Sequence, residues 1–316
     1  MSEQFHSHGK LLLTAEYLVV DGAHAFAVPC KFGQDLVVED VEDSKSLEIY
    51  WKSYTNEGEL WFEGIFVSRE FPSRTGGSRT VVEPYSSSDD EVALKLSMLL
   101  FNAFKLVKEV PKRKFEIKTT LEFPQDWGLG SSSTLITNIA SWLDINPYKL
   151  FFAWTIGSGY DLACAKSDGP ILYAKNGINP IIAEIDWNPS FKEEIFFVHL
   201  GSKQKSDVEV KKFAQLVFDR EEAIQKMNVL TKSFLEANSL ESFETVLEEH
   251  ENVLSNILKR STVKEMLFAD YEGSVKSLGA WGGDFVMVTS RPNFRSYFNG
   301  KGCYTILSFE DMVYVG

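Results

Sequence analysis

Short apolar runs separated by turn residues dominate the first seventy residues. They lie at Leu11–Leu13, Leu18–Val20 and Leu36–Val38, and then at 47–51, 60–62 and 65–67. Runs of this length between Gly, Asn and Ser residues predict β-strands, with a turn at Asn56-Glu57-Gly58. Residues 71–90 are polar and predict a loop that contains at most a short strand.

Helical spacing of apolar residues begins after residue 88. Ser88 and Glu91 form a Ser-x-x-Glu capping box, and Pro111 marks the end of the helix that follows. Residues 115–120 alternate as a strand, and apolar spacing after 134 predicts another helix. Asn146-Pro147 predicts a further helix start, with Asn as N-cap and Pro at the first helical position. Residues 171–185 predict β-structure again.

The second half mixes helices with a few strands. Ile195–Leu200 and Phe285–Thr289 predict buried strands, and residues 303–309 predict a last one. Ser206 and Glu209 form a capping box that predicts a long helical region to about Ala237. A second helix is predicted over 240–258 and a short third one after Ser261. A β-rich first half, a helix pair and then strands predict an α+β fold rather than a βαβ alternation. We expect two domains, 1–187 and 188–316.

Composition and charge narrow the class of protein. Apolar residues make up 44% and aromatic residues 13% of the 316 residues, which excludes disorder over most of the length. The net charge of −13 disfavours a nucleic-acid partner, because non-specific affinity there needs clustered Lys and Arg. No apolar stretch approaches the 18 residues of a membrane span, and we expect no signal peptide. Three well-separated cysteines predict no disulfide framework and favour a cytoplasmic location.

Four glycine-containing segments are candidates for chemistry. Gly128-Leu129-Gly130-Ser131-Ser132-Ser133 precedes a helix start, where unpaired N–H groups and the helix dipole favour a phosphate; a Ser-rich N-cap with a glycine hinge is the alternative. The other three are Gly157-Ser158-Gly159-Tyr160-Asp161, Gly279-Ala280-Trp281-Gly282-Gly283-Asp284, and Gly9-Lys10 at a strand start. Asp161 is either a functional carboxylate or a cap, and Lys10 is either an edge residue or a buried functional cation.

The ordered combination of these four segments resembles the GHMP kinase superfamily, which includes galactokinase, homoserine kinase, mevalonate kinase and phosphomevalonate kinase. The resemblance runs from Gly9 to Asp284. It implies a two-lobed fold, with a β-rich N-terminal ATP-binding lobe that carries the motif helices and a C-terminal lobe of antiparallel sheet plus helices. The segment 9–29, the Gly157–Asp161 turn and the segment 199–207 are most similar to mevalonate and phosphomevalonate kinases.

The resemblance also implies roles for matching residues. Asp161 would be the catalytic aspartate, and Lys10 would lie within about 4–6 Å of it and stabilise the transferred phosphoryl group. Residues that would bind the ATP phosphates are Gly128, Leu129, Gly130, Ser131, Ser132, Ser133 and Thr134, with Ser132 as a Mg²⁺ ligand. Residues on the substrate side would be Glu16, Tyr17, His24, Ser158, Gly159, Gly279, Ala280, Gly282, Gly283 and Asp284.

Several positions depart from the superfamily pattern. Ala15 stands where glycine is usual, and Trp281 replaces a glycine in the third motif. Only 23 residues separate the second motif from the Gly157–Asp161 turn, and Asp144 is the only acid among them, so the helix carboxylate that would be a second Mg²⁺ ligand is missing. The roles of Trp281, His24 and His199 stay open. His6 and His8 could pair on a metal, but histidines near a chain terminus are more often solvated.

These features predict an ATP-dependent kinase that phosphorylates mevalonate or phosphomevalonate, with ATP and Mg²⁺ as cofactors. We expect a small-molecule substrate, no nucleic-acid or membrane partner, and a homodimer as one option for assembly. Two alternatives are a decarboxylase-like lyase of the same pathway and a degenerate member that binds a ligand without catalysis. A homoserine kinase is disfavoured, because those enzymes lack the aspartate base that Asp161 would supply.

Overall fold

The structure of the protein, a computed structural model, describes residues 2–72, 78–201 and 206–316. The strands are β1 (Ser2–Leu12), β2 (Ala25–Asp43), β3 (Glu48–Tyr54), β4 (Leu60–Pro72), β5 (Ser78–Ser87), β6 (Arg113–Leu121), β7 (Ile171–Ala174), β8 (Ile181–Glu184), β9 (Ile195–His199), β10 (Val275–Ser277), β11 (Phe285–Thr289) and β12 (Ile306–Ser308). The α-helices are α1 (Asp90–Phe104), α2 (Ser131–Trp142), α3 (Pro147–Trp154), α4 (Tyr160–Cys164), α5 (Ser206–Ala214), α6 (Arg220–Glu236), α7 (Leu240–Leu258), α8 (Val263–Leu267), α9 (Phe294–Gly300) and α10 (Phe309–Met312).

The chain divides into two compact units built from discontinuous segments. The first unit comprises Met1–Ser7, Gly33–Gln125 and Ser131–Ile156, as far as these are described, and the second comprises His8–Phe32, Asp126–Gly130 and Gly157–Gly316. Strands β1 and β2 contribute residues to both. These compact units divide the chain at positions other than the predicted boundary between residues 187 and 188. The two domains predicted at 1–187 and 188–316 stay a prediction.

The first unit contains a mixed sheet in the strand order β5-β4-β3-β6-β2. Neighbours are antiparallel except β3 and β6, which run parallel over seven residue pairs. The buried side chains of Trp51, Phe62 and Phe66 alternate with more exposed ones along β3 and β4 and form part of the core. Helix α2 contributes Trp142, whose ring packs edge-on against Phe104 of α1.

The second unit contains the first residues of β2, which pair with β7, and β7 pairs in turn with β8. It also holds an antiparallel sheet in the order β10-β11-β9-β12. Strand β11 is buried along its whole length, as a strand covered on both faces must be. The α+β fold expected from the sequence, β-rich first and then an antiparallel sheet with helices, is confirmed.

Three of the predicted elements differ in the structure. Residues 78–87 form the full strand β5, which pairs with β4; the polar residues there are those of an edge strand, and Thr80, Val81 and Val82 supply β-branched side chains. Leu18–Asp21 is a 3₁₀ helix rather than a strand. The helical region from Ser206 is two helices, because α5 ends at Ala214 and Asp219 caps a new start at Arg220.

Several helix boundaries were predictable from local chemistry. Helix α2 begins at Ser131, a few residues before the apolar spacing that predicts it, and the Asn146 side chain caps α3 by accepting the N–H groups of Tyr148 and Lys149. At α1 the cap is Asp89 rather than Ser88, with its carboxylate accepting the N–H groups of Glu91 and Val92.

Among the described residues, no helix is long and apolar enough to cross a membrane.

Candidate active site

Lys10 fastens the glycine turn Asp126–Gly130 to strand β1 within the second unit. Its backbone N–H donates to the carbonyl of Leu129 at 2.9 Å, and its ammonium Nζ donates to the carbonyl of Gly128 at 2.8 Å. The neighbouring Gly9 permits this approach, because a Cβ there would lie 3.0 Å from the Phe32 oxygen and 3.1 Å from the Leu129 oxygen. Lys10 is half-buried, so it is a held cation and not a frayed edge residue.

The two glycines of the turn make room for charged side chains. Gly128 and Gly130 have φ values of +65° and +90°, in the left-handed region that favours glycine. A Cβ on Gly128 would overlap Oδ2 of Asp284, and a Cβ on Gly130 would lie 3.1 Å from Cε of Lys10. The turn therefore brings together residues from the first, second and third motifs.

Gly128→Ala is expected to destabilise the protein and weaken nucleotide binding. The new methyl group would overlap the Asp284 carboxylate, and the positive φ adds a strain of about 1–2 kcal/mol. Gly302→Ala is the matched control, because Gly302 has a φ of +86° but a Cβ there would have no neighbouring atom within 4 Å. Denaturant unfolding and nucleotide titration of both variants would check this. Equal losses in the two variants would show that only backbone strain matters.

Asp161 lies in the first turn of α4, directly after a glycine at positive φ. Gly159 has a φ of +84° and precedes Tyr160 and the half-buried Asp161. Burial raises the pKa of the nearby Cys164 thiol well above its usual range; the Asp161 carboxylate adds to this rise and the Lys10 ammonium opposes it. Both charges thus act on one buried group, which supports the predicted proximity of Lys10 and Asp161. Their distance of about 4–6 Å stays a prediction.

Tyr160 is a site residue that the sequence analysis did not single out. The Lys10 Nζ lies 5.9 Å from the centre of its ring, within cation–π range. Burial raises the pKa of the Tyr160 hydroxyl well above its usual value, and the carboxylates of Asp161, Glu16 and Asp284 raise it further. The hydroxyl therefore stays protonated. Its place in the sequence, beside the candidate aspartate, is the only signal that could have pointed to it.

In the first unit, helix α2 presents only part of its predicted phosphate-binding set to solvent. Ser132 is exposed and Ser131 is half-buried, whereas Ser133 and Thr134 are buried. The Thr134 hydroxyl lies 2.7 Å from Oε1 of Gln34 and 2.9 Å from the Ser131 carbonyl, so it anchors the helix start. The first-turn N–H groups, which have no partner within the helix, suit an anion.

The exposed Ser132 hydroxyl fits a Mg²⁺ ion that is held mainly by phosphates. Mg²⁺ commonly takes one or two protein ligands, keeps several waters and takes the rest of its ligands from the substrate phosphates. Asp144 lies beyond the far end of α2, and the last residue of that helix is about 15 Å from Ser132 along the axis at 1.5 Å per residue. It therefore does not replace the missing helix carboxylate.

Several of the solved structures that this chain resembles are small-molecule kinases. Phosphomevalonate kinase of Streptococcus pneumoniae, in complex with phosphomevalonate and AMPPNP, matches with a TM-score of 0.67 at 14% identity, over 97% of this chain and 99% of that one. Mevalonate kinase of Methanococcus jannaschii matches with a TM-score of 0.63 at 13% identity, over 96% and 95%. Lactococcus lactis galactokinase complexed with galactose matches with 0.63 at 15%, over 95% and 89%.

The chain has the GHMP kinase fold. The superfamily resemblance seen in the motifs is thereby confirmed for the fold. No protein-family model matches this sequence, and no curated protein matches it significantly.

The third motif departs from the superfamily pattern without placing an indole on a ligand. Trp281 is buried in the core of the second unit; its ring N–H donates to the Ser261 carbonyl at 3.0 Å and its backbone N–H to the Tyr17 hydroxyl at 2.8 Å. The motif keeps positive φ at Gly279 and Gly282, with open space around both, and at the buried Asp284. Trp281 is thus a packing residue that links the third motif to Tyr17.

Glu16 lies in a buried charge cluster, and its expected role on the substrate side stays a prediction. Its carboxylate accepts from Lys276 Nζ at 2.5 Å, and both side chains are at most 1% exposed. Glu251 of α7 lies 3.9 Å from the same ammonium. The preceding Ala15 has a φ of +63°, which accounts for the usual glycine there, and its N–H donates to Nε2 of the buried His250 at 3.0 Å.

Charge in this cluster is set by burial. Burial raises the pKa of Glu16, with Lys276 opposing the shift, and raises that of Glu251 to about 7. Burial also lowers the pKa of His250 well below its usual value, with the Lys276 charge adding to the effect. His250 is therefore neutral and accepts the Ala15 N–H, so that it holds the first-motif turn.

Glu251→Gln is expected to reduce the decrease in the free energy of unfolding that the wild type shows as pH rises. The folded-state pKa of about 7 exceeds the ordinary 4.5, so the wild-type contribution is full below about pH 4.5 and is lost as pH rises through 7. Across this window the free energy of unfolding of the wild type falls, relative to that of Glu251→Gln, by on the order of 3 kcal/mol. Urea unfolding at pH 5 and pH 8 measures it, with the exposed Glu249→Gln on the same helix as control. Equal pH slopes in wild type and Glu251→Gln would contradict it.

The remaining candidates differ in exposure. His24 is exposed, and its backbone N–H donates to Asn228 of α6. Ser158 and Gly159 are buried, and the Ser158 carbonyl accepts from the Tyr173 hydroxyl. His199 is buried with its Nε2 3.3 Å from the Asp126 carbonyl, so it supports the start of the glycine turn. In the segment 199–207, residues 202–205 lie outside the described residues.

Proposed function

We propose that this protein is an ATP-dependent phosphotransferase that transfers the γ-phosphoryl group of ATP to mevalonate or phosphomevalonate. The observation that carries the proposal is the meeting of Lys10 and Asp284 at Gly128, with Tyr160 and Asp161 alongside, in a chain with the GHMP kinase fold. A held cation and a half-buried carboxylate beside a glycine turn are among the parts that phosphoryl transfer uses.

Each residue of this centre has a chemical task in the proposal. Asp161 accepts or orients the proton of the attacking acceptor group. The Lys10 ammonium stabilises charge that builds on the transferred phosphoryl group. The resemblance alone implies that Mg²⁺, which would neutralise phosphate charge, takes Ser132 as a ligand. The roles of Ser131, Ser133 and Thr134 in binding ATP follow from the resemblance alone.

The acceptor is the finer part of the proposal. Phosphomevalonate and mevalonate kinases both share this fold. The residues of the motifs slightly favour phosphomevalonate as the acceptor. A galactokinase shares the fold as well, so the fold does not select among acceptors. The degenerate, non-catalytic alternative is motivated by the missing helix carboxylate and by Trp281. Trp281 is a core residue, so it gives this alternative little support. A small-molecule substrate is part of the proposal, and the homodimer stays a prediction.

A coupled assay of ADP release tests the proposal against mevalonate, phosphomevalonate, diphosphomevalonate, galactose and homoserine. Saturable release with mevalonate or phosphomevalonate, abolished in Asp161→Asn, is the expected result. Release with galactose or homoserine alone would move the acceptor to another class. ADP release with diphosphomevalonate, accompanied by CO₂, would favour the lyase. No release with any acceptor, despite ATP binding, would favour the non-catalytic alternative.

A further inference from the structure

Three strands of the first unit bring a histidine and two carboxylates together. His6 lies on β1, Asp35 on β2, and Glu122 directly follows β6. One ligand atom of each residue lies within 4.8 Å of the ligand atoms of the other two. The pairing of Gln34 with Leu121 across β2 and β6 explains how residues 87 positions apart in sequence become neighbours. His6 thus joins carboxylates rather than His8, the partner that sequence spacing suggested.

The three side chains are already held in place. His6 Nδ1 lies 2.9 Å from Oδ1 of Asp35, and the N–H of Gly33 donates to Oε2 of Glu122 at 2.6 Å. Gly33 also leaves space for the imidazole, because a Cβ there would lie 2.7 Å from its Cε1 and Nε2 atoms. A hydrogen bond that orients a ligating carboxylate is a common support of metal sites.

The local charge favours a cation. Two carboxylates converge here in a chain whose net charge is −13, and like charges at this range repel. Within the part of the chain that the structure describes, no lysine or arginine nitrogen lies within 4 Å of either carboxylate. The side chains of His6 and Asp35 are 36% and 31% exposed, so an ion can reach them from solvent.

We propose that His6, Asp35 and Glu122 bind a divalent transition-metal ion of the Zn²⁺ class. Zn²⁺ commonly takes one or more histidine nitrogens together with carboxylate oxygens, and three protein ligands leave a position for water. The imidazole nitrogen disfavours Mg²⁺ and Ca²⁺, which prefer oxygen ligands alone. This site contains none of the residues assigned to the proposed kinase centre and does not depend on the proposed kinase activity.

Metal binding at this site would also support helix α2. Ser7 follows the ligand His6 in sequence, and Gln34 precedes the ligand Asp35. Both residues hold Asn138 of α2. The Ser7 hydroxyl donates to the side-chain oxygen of Asn138 at 2.7 Å, and the side-chain N–H of Asn138 donates to the Gln34 carbonyl at 2.8 Å. An ion that ties β1, β2 and the end of β6 together therefore stiffens the strands that carry α2. The expected consequence is a rise in the unfolding temperature of the full chain on addition of Zn²⁺.

Isothermal titration of the chelator-treated protein with ZnCl₂, in the absence of nucleotide, tests the proposal. The expected result for the wild type is saturable binding of one Zn²⁺ ion, which excess Mg²⁺ does not displace. The affinity for Zn²⁺ should fall at least tenfold in each of His6→Ala, Asp35→Asn and Glu122→Gln. Glu39→Gln is the matched control, because Glu39 is an exposed carboxylate on β2 four residues from Asp35. It should bind like the wild type.

Two results would overturn the proposal. One is the absence of saturable Zn²⁺ binding to wild-type protein that unfolds cooperatively. The other is Zn²⁺ binding that survives unchanged in His6→Ala, which would place the ion elsewhere. Circular dichroism of each variant confirms folding, and Co²⁺ substitution offers a second readout, since its visible absorption should be lost with His6 if the nitrogen is a ligand.

Discussion

Asp161→Asn is expected to lower turnover with the true acceptor by about a hundredfold or more while ATP binding is retained. The asparagine keeps the size and a hydrogen-bonding oxygen of the original side chain but cannot take a proton. A positioned acid–base group contributes about 10²–10⁴-fold to rate. Asp161 lies in the first turn of a short helix after Gly159, where the turn and not the carboxylate sets the backbone, so the fold should persist.

The control for this variant is Asp168→Asn, an exposed aspartate that follows the same helix by four residues. It should turn over at the wild-type rate. Steady-state kinetics with separate values of kcat and KM, together with nucleotide titration, measure the effect. Near wild-type turnover in Asp161→Asn would make Asp161 a structural residue of α4 and remove the base from the proposed centre.

Lys10→Met is expected to lower turnover by about a hundredfold or more, with a smaller loss of ATP affinity. The ammonium acts mainly on charge that develops in the transition state, and the loss of one such donor commonly costs about 10²–10³-fold in rate. Methionine keeps most of the aliphatic chain that packs against Gly130. The backbone hydrogen bond from residue 10 to Leu129 does not involve the side chain and is kept.

Lys175→Met is the matched control for the lysine variant. Lys175 Nζ also donates to a backbone carbonyl, that of Val20, at 3.2 Å. If Lys10 only tethered the glycine turn, the two variants would show similar, small effects. A double-mutant cycle of Lys10→Met with Asp161→Asn adds the pairing test: combined losses well below the sum indicate that both residues act as a unit. Fully additive losses would contradict the pairing.

Local patterns predicted the elements that local chemistry determines. The starts of α2 and α3 follow from Ser131 and from the Asn146 cap with Pro147, and strand β11 matches its apolar run from Phe285 to Thr289. Strand β5 was missed because its stability comes from pairing with β4, which a polar edge sequence does not reveal. The break between α5 and α6 was missed because a capping aspartate, Asp219, interrupts an otherwise helical spacing.

The candidate site was predictable as far as its motifs reach. Lys10, Gly128 and Asp284, each singled out by its motif, come together in the structure, and the expected approach of Lys10 to Asp161 stays a prediction. The role of Glu16 was not predictable, because its partner Lys276 is 260 residues away in sequence and only the fold makes them contact. The cluster of His6, Asp35 and Glu122 was missed for the same reason, because its members come from distant strands and no spacing along the chain encodes them. Tyr160 could have been singled out only by its place beside Asp161.

Mass spectrometry of the acceptor after incubation with ATP tests the central claim most directly. The wild-type protein should convert mevalonate or phosphomevalonate into a product heavier by one phosphoryl group, in amounts that match the ADP formed, and Asp161→Asn should form little of it in the same time. A lighter, decarboxylated product from diphosphomevalonate, or ATP binding with no modified acceptor in the whole panel, would contradict phosphoryl transfer at the Lys10–Asp161 centre.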